Sequence, residues 1–229
     1  ESQYSFFRYK GTAELSGPFT SWTGADCAGS NLGAPGTTIF ATDKVPLTQD
    51  RYSAFVAANE SLANVTCVPE NEFKNYAQDV TLMDLPLLTS IESGAFTSCK
   101  GDVSMSAMPQ LTIIGDSAFS NGMGYLVLSA MPRLTSFGNN AFSGFLGTLL
   151  IDTNSPQLTN IGSSAFASIS NPNSRVSLNG LNQLATIQSN AFANCKAVII
   201  LGFDSVNPVS SVGSGAFAST SNTESFVVL

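Results

Sequence analysis

The stretch Leu88–Phe96, LTSIESGAF, decides the fold, because similar nonapeptides recur along the chain. The later copies are LTIIGDSAF, LTSFGNNAF, LTNIGSSAF, LATIQSNAF and VSSVGSGAF, ending at Phe119, Phe142, Phe166, Phe192 and Phe217, and a degenerate first copy, VTCVPENEF, ends at Phe73. Successive phenylalanines are 23, 23, 23, 24, 26 and 25 residues apart. A period in the twenties predicts a solenoid, in which each repeat packs only on its neighbours.

Each repeat also predicts a short strand that follows its phenylalanine. Two apolar residues flank one outward residue, which is the period of a strand with one buried face. The predicted inward pairs are Val80 and Leu82, Val103 and Met105, Leu126 and Leu128, Leu149 and Ile151, Val176 and Leu178, and Ile199 and Leu201. The pair of the fourth repeat comes three residues late, so we expect the insertion within Ser168–Ser174 to bulge outward.

The rest of the repeat predicts a packed interior. The leucine and isoleucine of the nonapeptide, such as Leu111 and Ile114, are expected to point inward. A glycine usually follows, as in Gly115, where a Cβ is expected to be costly. The Ala-Phe pair closes the coil, and the phenylalanine rings are predicted to stack in a column along the interior.

The pattern L-T-x-I-G-x-x-A-F-x-x-C, at a period near 23, resembles the BspA-like class of leucine-rich repeats over about residues 65–229. The resemblance implies a right-handed, β-rich leucine-rich-repeat solenoid with short strands and few helices, here about seven coils. It also implies a cell-surface protein that adheres to host proteins or to other cells. The cysteine of the pattern is retained only as Cys99 and Cys195, so this position is predicted to be a semi-buried packing site.

Residues 1–64 do not follow the repeat and are predicted to form an N-terminal cap, because the first coil of a solenoid otherwise exposes its core. Thr48 is a predicted N-cap for a helix from Gln49 to about Asn59, with Tyr52, Phe55 and Val56 on one face. An independent domain is disfavoured, because this segment has few aliphatic side chains with which to build its own core.

The four cysteines fall into two groups. Cys99 and Cys195 lie four repeats apart, about 20 Å at the spacing of strands, and cannot form a disulfide within one molecule. Cys27 and Cys67 bracket the cap and are the natural disulfide pair in an oxidising compartment; their surroundings resemble the N-terminal caps of extracellular leucine-rich-repeat proteins. Candidate glycosylation sites at Asn59 and Asn64 also favour a secreted or cell-surface protein.

Composition argues against several classes of function. The chain has no histidine, which excludes the Ser-His-Asp and Cys-His catalytic groups, and we predict neither an enzyme nor a bound cofactor or metal. Asp84 and Asp152 occupy turn positions three repeats apart, about 14 Å, which is too far for a glycosidase pair. With a net charge of −7 and no basic cluster, no nucleic-acid partner is expected. No apolar run is long enough for direct membrane insertion.

The outward residues of the strands remain as the candidate ligand-binding face. They are Thr81, Ser104, Val127, Leu150, Ser177 and Ile200, followed by Val227. The apolar centre of this column is typical of a binding patch, although such residues also simply favour strands. The favoured function is adhesion or recognition of a protein or glycan on a host or neighbouring cell. The alternative is a structural surface or matrix component without a discrete ligand.

The C-terminus gives one further expectation. Phe226 is predicted to lie at an inward strand position, so that the sequence stops inside a strand. Either the natural protein continues with further repeats or an anchor, or a partner covers this end, most simply a second copy about a two-fold axis.

Overall fold

A computed structural model describes residues 13–14, 38–39, 46–58, 62–204, 208–222 and 226–228 of the chain. Its repeats form a parallel β-solenoid, as the spacing of the phenylalanines predicted. It has about six turns, where about seven coils were predicted. Before the repeats, β1 (Ala13–Glu14) pairs antiparallel with β2 (Thr38–Ile39), and α1 (Gln49–Ala58) follows.

Each coil contributes one strand to each of two parallel sheets. The short-strand sheet contains β3 (Cys67–Val68), β5 (Ser90–Ile91), β7 (Ile113–Ile114), β9 (Ser136–Phe137), β11 (Asn160–Ile161), β13 (Thr186–Ile187) and β15 (Ser211–Val212). The long-strand sheet contains β4 (Val80–Met83), β6 (Val103–Ser106), β8 (Tyr125–Ser129), β10 (Thr148–Asn154), β12 (Arg175–Asn179), β14 (Val198–Gly202) and β16 (Phe226–Val228). Hydrogen bonds therefore run from coil to coil along the solenoid.

The interior is the predicted column of phenylalanine rings. Rings 73, 96, 119, 142, 166, 192 and 217 stack with centroids 4.9–5.4 Å apart and planes within 1–11°. All six predicted inward strand pairs are buried. The pattern position three residues after the phenylalanine is more buried than predicted in the middle coils, since Cys99, Phe145, Ile169 and Cys195 are 0–4% exposed.

Close backbone approach explains the glycines of the nonapeptide. A Cβ at Gly115 would lie 2.8 Å from the backbone nitrogen of Ser93 in the preceding coil, and one at Gly213 would lie 2.3 Å from that of Ser189. The left-handed conformation occurs elsewhere, at the two residues that flank Ala-Phe-x in every coil, such as Ser117 (φ 55°) and Asn121 (φ 54°). Asn, Ser and Gly fill these positions; glycine tolerates this conformation without a Cβ penalty, and asparagine adopts it more readily than most residues.

The helix covers the start of the solenoid. Tyr52 packs edge-on against Phe73 at a centroid distance of 6.1 Å, and its hydroxyl accepts a hydrogen bond of 2.8 Å from the backbone of Thr81, at the edge of β4. Leu47 is fully buried and donates to Cys67 O at 2.8 Å. The prediction for Val56 is wrong, because this side chain is 65% exposed. The hydrogen bonds and ring contact of residues 46–58 place this part of the segment against the first coil, and a cap that spans residues 1–64 stays a prediction.

One seam interrupts the regular stacking of the long-strand sheet. Ile151 of β10 pairs with Val176 of β12, so the inward pairs of these two strands are offset by two residues. The offset turns Thr153 inward, where it is 3% exposed. Its hydroxyl oxygen accepts a hydrogen bond of 3.1 Å from the backbone of Met131 and lies 3.2 Å from Ser155 Oγ, so this buried polar group is satisfied.

The register of β16 corrects a second prediction. Val227 pairs with Leu201, which is buried, and Phe226 pairs with Ile200 of the outward face. Val227 therefore takes the inward register position that was predicted for Phe226.

Candidate functional site

The outward face of the long-strand sheet holds the candidate ligand-binding residues, and the strand register arranges them in rows. One row, called here the central row, runs across six strands, each residue paired with the next. It consists of Thr81, Ser104, Val127, Leu150, Arg175 and Val198. Its middle members, Val127 and Leu150, are half-buried neighbours in consecutive coils.

The sequence placed Ser177 and Ile200 in this row, and that placement is wrong. Ser177 pairs with Asp152, and Ile200 pairs with Ser177, so both belong to the neighbouring row. Ser177 is also only 4% exposed and accepts a hydrogen bond of 3.2 Å from Asn179 Nδ2. The cause is the seam, because the offset between β10 and β12 brings Arg175 into line with Leu150.

Two further rows complete the centre of this face. Backbone hydrogen bonds align Lys100, Met123, Leu146, Ser170 and Lys196 in consecutive coils, one row beyond Tyr125 and Thr148. Met123 is 50% exposed, Leu146 54% and Tyr125 43%. Together with Val127 and Leu150 they form what we call the central patch, five apolar or aromatic side chains on the adjacent strands β8 and β10 and the turns that precede them.

Sequence reasoning missed Met123, Tyr125 and Leu146. The signal was present, since Met123 and Leu146 each stand four residues after a column phenylalanine, where other coils carry Ala77, Lys100, Ser170, Lys196 or Ser221. A large apolar residue at a surface position that is otherwise small or polar indicates a local surface feature. The repeat pattern concealed it, because the pattern was defined by inward residues.

The charges around the central patch differ between its two sides. On the side of the earlier coils lie Asp79 and Asp102, and on the side of the later coils lie Arg175 and Lys196. The two carboxylates are held in place, because Asp79 Oδ1 accepts the Asp102 N–H at 2.9 Å and Asp102 Oδ1 accepts the Tyr125 N–H at 2.7 Å. Two residues are exceptions to this division: Lys100 lies on the acidic side, and Asp152 of β10 lies on the side of the later coils.

The insertion of the fourth repeat borders the central patch. Pro172 and Asn173 are exposed, as expected for an outward bulge, and Asn171 Nδ2 donates to Thr148 Oγ1 at 3.0 Å. Ser174 is fully buried beneath it, and its hydroxyl accepts a hydrogen bond of 3.0 Å from the backbone of Leu149. The insertion is thus hydrogen-bonded to β10 at Thr148 and Leu149, next to Leu150 of the patch.

The remaining chemical groups are scattered. Asp84 directly follows β4 with φ 56°, just before the turn at residues 86–87, whereas Asp152 lies within β10 and not in a turn; both are exposed. Among the described residues, no three or more His, Cys, Asp or Glu side chains converge to hold a metal ion. No described helix has the length and apolar character needed to cross a membrane.

The two repeat cysteines are buried thiols. Both Cys99 and Cys195 are free, as expected. Burial raises the pKa of the Cys195 thiol from 9.0 to about 11, against a smaller opposing effect of a backbone hydrogen bond at Ala197. Burial also raises the pKa of Cys99, while backbone hydrogen bonds at Gly101 and Lys100 lower it. Neither thiol is a reactive nucleophile at neutral pH.

The predicted sites of the cap are only partly described. Cys67 is fully buried at the start of the first coil, and Cys27 lies outside the described residues, so their disulfide stays a prediction. Asn64 lies in a turn and is half-buried, and Asn59 lies outside the described residues. Glycosylation of both also stays a prediction.

Comparison with known proteins bears on the repeats. A family model described as a BspA type leucine rich repeat region matches six copies, over residues 66–199 and 122–228. No curated protein and no solved structure matches the chain.

Proposed function

Because the chain belongs to the BspA-type leucine-rich-repeat family, we propose that it is a non-enzymatic recognition module that binds a protein or glycan on another cell or host. Leucine-rich-repeat solenoids are typically binding scaffolds, and proteins of this family are often associated with surface adhesion. The proposal includes an extracellular or cell-surface location.

The observation that carries the proposal is the central patch. Other exposed apolar residues of the repeats, such as Met83, Leu87 and Ile113, lie on different coils or on the short-strand sheet, whereas Met123, Tyr125 and Leu146 are each more than two-fifths exposed and adjoin Val127 and Leu150. Exposed apolar groups that are contiguous and rimmed by polar residues mark interaction sites. Aromatic residues and methionine are enriched at such interfaces.

Binding of the purified chain to an array of host proteins and glycans tests the proposal. The variant Val127→Lys with Leu150→Glu should lose binding to any ligand that the wild type captures, because two charges would replace the apolar centre of the face. Ile113→Lys is the matched control: Ile113 is apolar and 44% exposed, but it belongs to the short-strand sheet. Binding by a folded double variant at wild-type strength would remove this face from the proposal, and no saturable ligand at all would favour the structural alternative.

A further inference from the structure

From the arrangement of the outward face, we infer that the central patch pairs with the central patch of a second copy of this chain. The inference rests on the proposed function, since it assigns a partner to the same face. Two copies would pack face to face about a two-fold axis that runs parallel to the strands and passes between β8 and β10. Such an axis preserves the rows and reverses the order of the coils.

The apolar residues match under this operation. Val127 of one copy would meet Leu150 of the other within the central row, since these residues are neighbours on either side of the axis. Met123 would meet Leu146 in the same way. At the edge of the face, Met83, which is 60% exposed, would meet Ile200, since they occupy the same row on the first and sixth long strands. An isologous interface requires this self-complementarity.

The charges match as well. The axis would place Arg175 opposite Ser104, diagonal to Asp102, and would place Lys196 diagonal to Asp79. Asp79 and Asp102 on one side of the patch and Arg175 and Lys196 on the other therefore become two pairs of opposite charge, each made twice. Of the two exceptions, Lys100 would meet Ser170 and Asp152 would meet Ser129, and both of these opposites are neutral. Complementary charges of this kind orient two partners and fix their register.

The size of the face sets the strength of the pairing. Between the outermost of the six strands lie five intervals of ~4.8 Å, about 24 Å, and between the outermost of the four rows lie three intervals of ~6.7 Å, about 20 Å. The face thus measures about 500 Å² for each copy, or about 1,000 Å² in total. This total lies at the lower limit for specific interfaces, so one pair of molecules should associate weakly. Pairing between two surfaces that each display many copies would be stronger through avidity.

Sedimentation equilibrium of the full chain and two single variants tests the inference. The wild type should show a reversible monomer–dimer equilibrium. Val127→Lys alone and Leu150→Glu alone should each weaken it about tenfold or more, because a charge would be buried against an apolar side chain. An equimolar mixture of the two should regain dimers, since the introduced ammonium and carboxylate groups would then face each other in the mixed pair. Val127 and Leu150 have no polar side-chain groups, so the two substitutions remove no hydrogen bond from the fold.

A charge variant with a matched control adds a second measurement. Arg175→Glu should weaken the dimer about tenfold, because like charges would face each other twice near Asp102. Lys100→Glu makes the same change of charge on the same face and should not weaken it, because its opposite is Ser170. Circular dichroism melts establish that all variants are folded.

The possible outcomes separate this inference from the proposed function. A wild type that stays monomeric at millimolar concentration, or folded variants that fail to associate when mixed, would overturn the inference. If such a monomer still captures an array ligand through the central patch, the proposed function stands without it. Self-association restored by mixing, together with an array that captures nothing, would support the inference and count against a foreign ligand.

Discussion

At the scale of single residues, one position of the repeat can be filled by residues of very different type and size. The position three residues after the column phenylalanine holds Cys99, Gly122, Phe145, Ile169 or Cys195 in different coils. What these residues share is that each one packs against the same position of the next coil. A Cβ on Gly122 would lie 2.2 Å from the ring of Phe145, so the absence of a side chain in one coil makes room for the large one in the next.

The buried Cys195 thiol predicts a loss of stability at high pH. Its pKa is raised to about 11 in the folded protein, so between pH 9 and 11 the unfolded chain loses this proton while the folded chain retains it. The free energy of unfolding should then fall by roughly 2–3 kcal/mol across this range. Urea unfolding of the Cys99→Ala protein from pH 8 to 11 measures the fall. Adding Cys195→Ala should remove the fall in the free energy of unfolding that the Cys195 thiol causes. If the pH profile is unchanged by this substitution, the fall does not come from Cys195.

At the scale of elements, ladders between coils determine what each strand can present. Thr89, Thr112, Thr135 and Thr159 occupy the same repeat position, and each hydroxyl donates to the carbonyl of the corresponding residue in the preceding coil, at 2.8–3.1 Å. This hydrogen bond between coils explains why threonine recurs at this position, which the sequence pattern alone does not reveal. At the seam between β10 and β12, a different threonine, Thr153, has become part of the interior.

Replacement of Thr153 tests the energetics of the seam. Thr153→Val keeps the shape of the side chain but removes the acceptor for the buried Met131 N–H, so we expect a loss of about 1–3 kcal/mol in the free energy of unfolding. The comparison is Thr135→Val. There the hydroxyl donates to Thr112 O, which also accepts the Thr135 N–H, and the site is half exposed, so the expected loss is below about 1 kcal/mol. If chemical denaturation shows equal losses of unfolding free energy in Thr153→Val and Thr135→Val, the acceptor Thr153 Oγ1 is not essential for the stability of the seam.

The sequence predicts correctly those features that recur at a fixed distance from each column phenylalanine. Inward residues such as Leu126 and Leu128 recur at fixed distances from their phenylalanine, and the packing of successive coils enforces that phase, so the core was predicted correctly. Ser177 was misplaced because its position was counted along the chain, whereas neighbours in a sheet are set by the hydrogen-bond ladder. An insertion such as that in Ser168–Ser174 can be absorbed by the loop or by a change of register, and the sequence does not distinguish these two outcomes.

At the scale of the whole molecule, the phenylalanine column runs through every described coil alongside the two sheets. A solenoid has contacts only between neighbours, so the coupling between its two ends must pass through each coil in turn. Phe142 stacks on Phe119 at 5.4 Å and on Phe166 at 5.0 Å, and it also contacts Phe137 edge-on. It lies at the centre of the array, where a defect divides the molecule into halves.

Removing the Phe142 ring should therefore do more than lower stability. Phe142→Ala should cost about 3–5 kcal/mol through the cavity that it leaves. The thermal melt should also broaden or separate into two transitions, since the halves become less coupled. Calorimetry measures both effects. Phe217→Ala is the control, because Phe217 is half-buried and stacks on only one described ring, and its loss should shift the melt without dividing it.

The orientation of the sheets also has a mechanical consequence. Because backbone hydrogen bonds join each coil to the next along the solenoid, a force that separates the two ends acts on one interface at a time, as in opening a zipper. Coils should then detach one after another at modest force. Each coil that detaches, with its ~23 residues, would release about 75 Å of extended chain. A molecule that tethers two moving bodies would lengthen in steps under tension, and it could rewind by adding coils to those that remain.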